Sequence, residues 1–145
     1  MKPYQTILVA VDCSEDSITV IQRAKSIACD SAEVHLLHVV EPLALAYGAD
    51  MPMDMTDLQT TLLNRAQTTI NAYAEQFALD DKHTHVELGA IERTIQSKAG
   101  DIGADVIVIG CHTRSGLALL LGSTARGLVP SSRCDVLAVK IDSEK

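Results

Sequence analysis

Two hydrophobic patterns alternate along this 145-residue chain. Continuous apolar runs rich in β-branched residues are typical of strands buried on both faces, and they occupy Ile7–Val11 and Val106–Ile109. Two further strands are predicted over Val34–Val40 and Val136–Val139. The segment His83–Leu88 alternates polar and apolar residues, which predicts a strand with one exposed face.

Between these strands, apolar residues recur every three or four positions, which predicts helices. The longest covers Thr56–Phe77, and two others cover Ala90–Ile102 and Gly122–Ser132. A first helix is predicted to follow Ser14, which would cap it, with Glu15 in an acidic first turn.

Strands that alternate with helices through short loops form parallel βαβ units with right-handed crossovers. We therefore predict one α/β domain over residues 1–145, a doubly wound sheet with helices on both faces. The two continuous apolar runs should be central strands, and His83–Leu88 should be an edge. Ligands bind such sheets beyond the carboxyl ends of the central strands, so Asp12 and Gly110 mark the predicted site.

Composition excludes several classes of partner. The chain has 12 Lys and Arg against 19 Asp and Glu, a net charge of −7, with three Tyr, one Phe and no Trp. A nucleic-acid backbone or an anionic membrane would be repelled, and base stacking would lack aromatic platforms. With no apolar stretch of spanning length and no export signal, we expect a cytoplasmic protein whose four cysteines are free thiols.

One segment has the opposite charge. Residues 106–134 contain Arg114, Arg126 and Arg133 and no Asp, Glu or Lys. Within this segment, Gly122-Ser123-Thr124 would begin an acid-free helix, where backbone amides can bind a phosphate. The alternative is a plain Ser/Thr cap with solvated arginines.

Motifs spread over the whole chain resemble the universal stress protein family. The matching segments are Ile7–Ser14, Leu36–Val39, Gly110–Leu117, Gly122–Ala125 and Cys134–Val139. The resemblance implies a five-stranded parallel sheet in the order 3-2-1-4-5, like that of the adenine nucleotide alpha hydrolases. It also implies a cytoplasmic homodimer linked to stress response and survival.

One branch of that family binds ATP through Gly, two residues, Gly, nine residues and then Gly-Ser or Gly-Thr. Gly110 and Gly122-Ser123 match this pattern, but Thr113 replaces the second glycine and is separated from Gly122 by eight residues. If the position needs a positive φ, Thr113 costs about 1–2 kcal/mol. If the backbone is ordinary, its hydroxyl is an additional donor.

The resemblance also implies which residues would contact ATP, with or without Mg²⁺. The adenine and ribose would contact residues after strands one and two, namely Ala10, Asp12 and Val39. The phosphates would lie in the loop and helix after strand four, near Gly110, Thr113, Gly122, Ser123 and Thr124. Asp12 has an alternative role, in which it braces the first helix.

The remaining polar residues suggest neither a catalyst nor a metal centre. No nucleophile is paired with a base, so we predict no catalytic residues and at most a slow ATPase. His35 and His38 should point to opposite faces of their strand. His83 and His85 should share a face of an edge strand and be solvated, so we predict no metal site.

The last strand predicts assembly. Val136–Val139 is apolar at an expected sheet edge, and such an edge is protected when two copies pair around a two-fold axis. We predict a homodimer with Val136 and Ala138 in the interface. An alternative function is a dimeric interaction module that binds no nucleotide and uses the irregular, Met-rich segment Glu41–Met55 as an adaptable surface.

Overall fold

The structure is a computed structural model and describes residues 3–43, 55–113 and 123–142. The strands are β1 (Tyr4–Ala10), β2 (Ala28–Val40), β3 (Thr84–Leu88), β4 (Val106–Thr113) and β5 (Asp135–Asp142). The helices are α1 (Ser17–Ile27), α2 (Met55–Gln76), α3 (Ile91–Ile102) and α4 (Ser123–Leu128), and a short 3₁₀ turn (Asp81–His83) precedes β3.

The five strands form one sheet in the order β3-β2-β1-β4-β5, and every pair is parallel. This confirms the predicted strand order. Ile7 of β1 pairs with Val34 of β2 on one side and with Val106 of β4 on the other. The continuous apolar runs are thus interior strands, and β3 and β5 are the edges.

Each face of the sheet has its own hydrophobic core. On one face, α1 and α2 contribute Ile21 and Ile70, which are buried in a cluster with Ile7 and Leu36. On the other face, α3 and α4 contribute residues such as Ile95 to a second buried cluster. Side chains along a strand alternate between the two clusters, which explains why the interior strands are apolar at every position.

The start of α1 differs from the prediction. The helix begins at Ser17, so Ser14 does not cap it, and Asp16 at the cap position makes no side-chain cap hydrogen bond. No acidic residue lies in the first turn. The reason is that the Asp12 carboxylate accepts hydrogen bonds from the Ser14 amide and hydroxyl, which holds Ser14 in a separate turn.

Other element boundaries also differ. β2 begins at Ala28, well before Val34. Ala28 pairs with Tyr4 of β1, and after an irregularity between Tyr4 and Thr6 the regular register resumes at the pair of Thr6 and Glu33. The final helix, α4, ends at Leu128 instead of Ser132. Pro130 explains this early end, since the residue before a proline disfavours helical backbone.

The prediction that His83 belongs to the third strand is wrong. His83 ends the 3₁₀ turn, and β3 begins at Thr84. The turn is favoured by Asp80, whose carboxylate accepts a hydrogen bond from the Lys82 amide. Within the described residues, no helix is both long and apolar enough to cross a membrane.

Candidate functional site

A cavity of about 310 Å³ lies at the carboxyl ends of β1, β2 and β4. The chain leaves β1 towards β2 on one side, while β4 lies on the other, so this is the switch point of the sheet. Five of the eight predicted site residues line the cavity, and they are Ala10, Asp12, Val39, Gly110 and Thr124.

The other three predicted residues do not line the described cavity. Gly122 lies outside the described residues, and Ser123 is the first residue of α4. Thr113 is the last residue of β4 and pairs with Asp142. Its backbone is therefore extended strand, and the strain considered for a positive φ does not arise there.

The cavity wall is mostly apolar. Ile91 and Ile95 of α3 face it from one side, and Val20 of α1 and Ile141 of β5 contribute from the other. Gly110 keeps a gap between these elements, because a Cβ atom there would lie 3.1 Å from Val20 Cγ2 and 3.6 Å from Ile141 Cγ1. Such a wall suits a flat apolar group with a few polar contacts.

Asp12 shapes the loop between β1 and α1. Its Oδ1 accepts hydrogen bonds from the Ser14 amide at 2.9 Å, the Ser14 hydroxyl at 2.6 Å and the Ser17 hydroxyl at 3.2 Å. Cys13 between them has a φ of 63°, in the left-handed region. Asp12 therefore braces the entrance to α1, and the same exposed residue lines the cavity.

His38 is a cavity residue that the sequence argument missed. It lies near the end of β2, is half-buried, and lines the cavity. Its Nδ1 lies 2.7 Å from the Val11 carbonyl oxygen, which can only accept, so Nδ1 carries the proton. In the neutral ring, Nε2 is then an acceptor. The signal for this role was a polar residue in an otherwise apolar strand end.

Residues 106–134 have no carboxylates of their own, but carboxylates from other parts of the chain lie around the cavity and beside this segment. Asp12 and Asp16 both line the cavity. Glu92 of α3 packs against α4, since a Cβ atom on Gly127 would lie 3.0 Å from Glu92 Oε1. The segment without acidic residues in sequence therefore has carboxylates beside it in space, and a polyphosphate bound here would need a counter-charge.

The thiol closest in sequence to Asp12 is unsuited to nucleophilic chemistry. Burial, with a smaller contribution from the Asp12 charge, raises the pKa of the Cys13 thiol to about 11. Cys111 is buried at the carboxyl end of β4. A reactive cysteine needs a lowered pKa and access to solvent. Cys13 has a raised pKa, and Cys111 is withdrawn from solvent.

A parallel sheet of this order with a lined cavity at its switch point defines an α/β protein of the ligand-binding, doubly wound class. Sequence comparison makes the assignment specific: residues 3–140 match the universal stress protein family. The chain belongs to that family.

Two curated relatives cover nearly the whole chain. Universal stress protein A homolog 2 of Coxiella burnetii is 35% identical, and the alignment covers 97% of this chain and 98% of that relative. Universal stress protein G of Escherichia coli O157:H7 is 28% identical, with 94% and 99% covered.

Solved structures share the fold. One is a hypothetical protein whose biochemical function was assigned from its structure, with a TM-score of 0.81, 23% identity, and coverage of 99% of this chain and 100% of that chain. Another is a universal stress protein crystallised in complex with cAMP, with a TM-score of 0.58, 23% identity, and coverage of 95% and 98%. At these identities the likeness establishes the fold.

Proposed function

We propose that this protein is a cytoplasmic universal stress protein that binds ATP in the switch-point cavity and acts as a dimeric, nucleotide-responsive regulator of the stress response. The observation that carries the proposal is the cavity itself. It joins an apolar wall to carboxylates at the carboxyl ends of β1, β2 and β4. Its volume of about 310 Å³ is at the lower end of the range for small-molecule pockets.

The cavity has suitable chemistry for each part of adenosine. The base is flat and apolar on its faces, and Val39, Ile95 and Ile109 offer it an apolar surface. Ribose hydroxyls donate hydrogen bonds, and Asp12 and Asp16 are carboxylates that accept them. The cAMP complex of another universal stress protein supports an adenine nucleotide as the ligand class.

The phosphates would extend from Gly110 towards Thr124, Ser123 and Gly122. Asp12 and Asp16 repel a bare polyphosphate, so we propose that ATP binds with Mg²⁺. The Ser17 hydroxyl lines the cavity and donates to Asp12 Oδ1, but that oxygen also accepts from the Ser14 amide and hydroxyl, so this pair serves to brace the start of α1. The proposed activity is therefore binding, with hydrolysis slow at most.

Calorimetric titration with ATP and Mg²⁺ tests the proposal. Ala10→Leu adds three carbons to a cavity-lining position and should weaken ATP binding at least about tenfold, which corresponds to about 1.4 kcal/mol. Ala72→Leu is the matched control, because Ala72 is exposed on α2 and distant in sequence from every lining residue. Circular dichroism should show that both variants remain folded.

Two results would contradict the proposal. Absence of heat with the wild type at millimolar ATP would leave the interaction module as the function. Equal ATP affinity of the wild type and Ala10→Leu would place the nucleotide elsewhere. The segment predicted to be the interaction surface, Glu41–Met55, lies mostly outside the described residues. The ATP titration therefore decides between nucleotide binding and the interaction module.

For assembly, we propose a homodimer through β5. This strand is an outer strand of the sheet and pairs with β4 on one side. Val136 and Ala138 are only half-buried within one chain, although they are apolar. A second copy along β5 would cover them and the open strand edge.

Size-exclusion chromatography with light scattering tests the dimer. The wild type should have a mass of about 31 kDa, twice the 15.5 kDa chain. Val136→Lys should dissociate it, because a charge buried in an interface without a partner costs several kcal/mol (~3–5). Thr84→Lys on the opposite edge strand is the control. A wild-type monomer at micromolar concentration, or a dimer unaffected by Val136→Lys, would refute the β5 interface.

A further inference from the structure

A cluster of four polar residues lies on β2, β3 and the turn before β3, and none of the four lines the cavity. Glu33 and His35 belong to β2, His83 ends the 3₁₀ turn, and His85 belongs to β3. The His35 and His83 ring centroids are 4.0 Å apart. His35 Nδ1 lies 3.1 Å from His85 Nε2, so three imidazoles meet at this sheet edge.

The centre of the cluster has an unsatisfied buried atom. His35 is 7% exposed, and its Nε2 is buried without a hydrogen-bond partner. The nearest carboxylate oxygen, Glu33 Oε2, is 3.6 Å away, which is too long for a hydrogen bond. A buried polar nitrogen without a partner is costly, so this arrangement indicates a missing ligand.

We propose that Glu33, His35 and His83 bind a divalent transition-metal ion of the Zn²⁺ class. One ligand atom from each residue lies within 4.8 Å of the other two. Zn²⁺ bonds to nitrogen and carboxylate oxygen are about 2.0–2.2 Å, so neighbouring ligands in a tetrahedron are about 3.4 Å apart. The 3.6 Å separation of Glu33 and His35 is already close to that value, and water would fill the fourth position.

His85 supports this role for His35. A ligating histidine usually donates its second ring N–H to a neighbour, which fixes the tautomer and the ring orientation. If His35 Nδ1–H donates to His85 Nε2, the lone pair of His35 is on Nε2, the atom that lacks a partner. His85 is thus a positioning residue that acts through His35.

The nearby charges are compatible with a cation. Glu33 provides a negative charge at the site. Lys98 of α3 has a positive charge near the histidines, which by itself would oppose binding of a cation. Its ammonium forms an ion pair with Glu87 at 2.5 Å, which offsets that charge. Two imidazoles and one carboxylate favour Zn²⁺, Ni²⁺ or Cu²⁺ over Mg²⁺, which prefers oxygen ligands. The site is therefore chemically distinct from a Mg²⁺–ATP site and independent of it.

The test is titration of the full chain, after removal of metal with a chelator, with Zn²⁺ alone. We expect one Zn²⁺ per chain and a rise in thermal stability, since an ion that binds the folded state stabilises it. Glu33→Gln and His83→Ala should each weaken binding at least tenfold. Asp30→Asn is the matched control, because it removes the same charge from an exposed position on the same strand and should leave the affinity unchanged.

Substitution with Co²⁺ separates this site from the cysteines. The proposed ligands should produce the visible bands of tetrahedral Co²⁺ without thiolate charge-transfer absorption. Four results would overturn the proposal: no Zn²⁺ binding by the wild type, affinity unaffected by both Glu33→Gln and His83→Ala, affinity lowered equally by Asp30→Asn, or a thiolate band in the Co²⁺ spectrum. His35→Ala is avoided because His35 is buried.

Discussion

The effect of backbone conformation on stability can be measured by making the same substitution, glycine to alanine, separately at Gly100 and at Gly103. Gly100 lies inside α3, and Gly103 ends it with φ 66° and ψ 44°. Both are exposed, and a Cβ atom added to either would meet no heavy atom within 4 Å. The two sites therefore differ in backbone conformation and not in available space.

The same change to alanine should have opposite effects. At Gly100, alanine has the better helix propensity by about 0.8–1 kcal/mol, so Gly100→Ala should stabilise the protein by about that amount. At Gly103, a left-handed backbone costs a residue with a Cβ about 1–2 kcal/mol. The lower entropy of the unfolded alanine chain offsets about 0.4–1 kcal/mol of this, which leaves a net destabilisation of about 1 kcal/mol.

Urea unfolding measures both variants against the wild type. We expect unchanged m-values and midpoints shifted in opposite directions, with the two free energies of unfolding separated by about 2 kcal/mol. Thermal midpoints should separate by about 4–8 °C, at about 2–4 °C per kcal/mol for a chain of this size. If Gly103→Ala were neutral or stabilising, the left-handed end of α3 would be refuted, and with it the reasoning from φ.

Two other predictions concern stability. Ala78 has a φ of 55° at the end of α2, where the Leu79 amide bonds to the Ala74 carbonyl, so Ala78→Gly should stabilise by about 0.5–1 kcal/mol in the same urea assay; a loss of stability would contradict it. Asp105 accepts hydrogen bonds from two β1 amides, which lowers its pKa below 3.8. Its contribution is present above the ordinary pKa and lost as pH falls through the lowered one, so Asp105→Ala should destabilise at pH 7 and progressively less below about pH 4. A difference that is constant with pH would show that the carboxylate charge is not involved.

Much of the architecture follows from local pattern. The runs Ile7–Val11 and Val106–Ile109 predicted interior strands because a strand buried on both faces has no polar positions, and both are interior. The alternating pattern of His83–Leu88 predicted an edge strand, which β3 is. The start of α1 was not predictable, because it depends on which hydrogen bonds Asp12 forms with Ser14 and Ser17.

The candidate site divides in the same way. The switch-point rule, together with the family resemblance, located Ala10, Asp12, Val39, Gly110 and Thr124, and these residues line one cavity. His38 was missed because its role comes from a contact with the Val11 carbonyl, in the loop that follows the neighbouring strand β1. Periodicity along one element contains no information about such a contact.

The sequence by itself determined the family, the order of the elements and the end of the sheet where the candidate cavity lies, because each depends on local periodicity or on short motifs. The tertiary structure alone decided which charges and rings meet. It placed Glu92 beside the acid-free helix α4 and brought His83 against the buried His35. Contacts of this kind depend on strand register and helix packing, which are set by the whole core and not by the residues nearest in sequence.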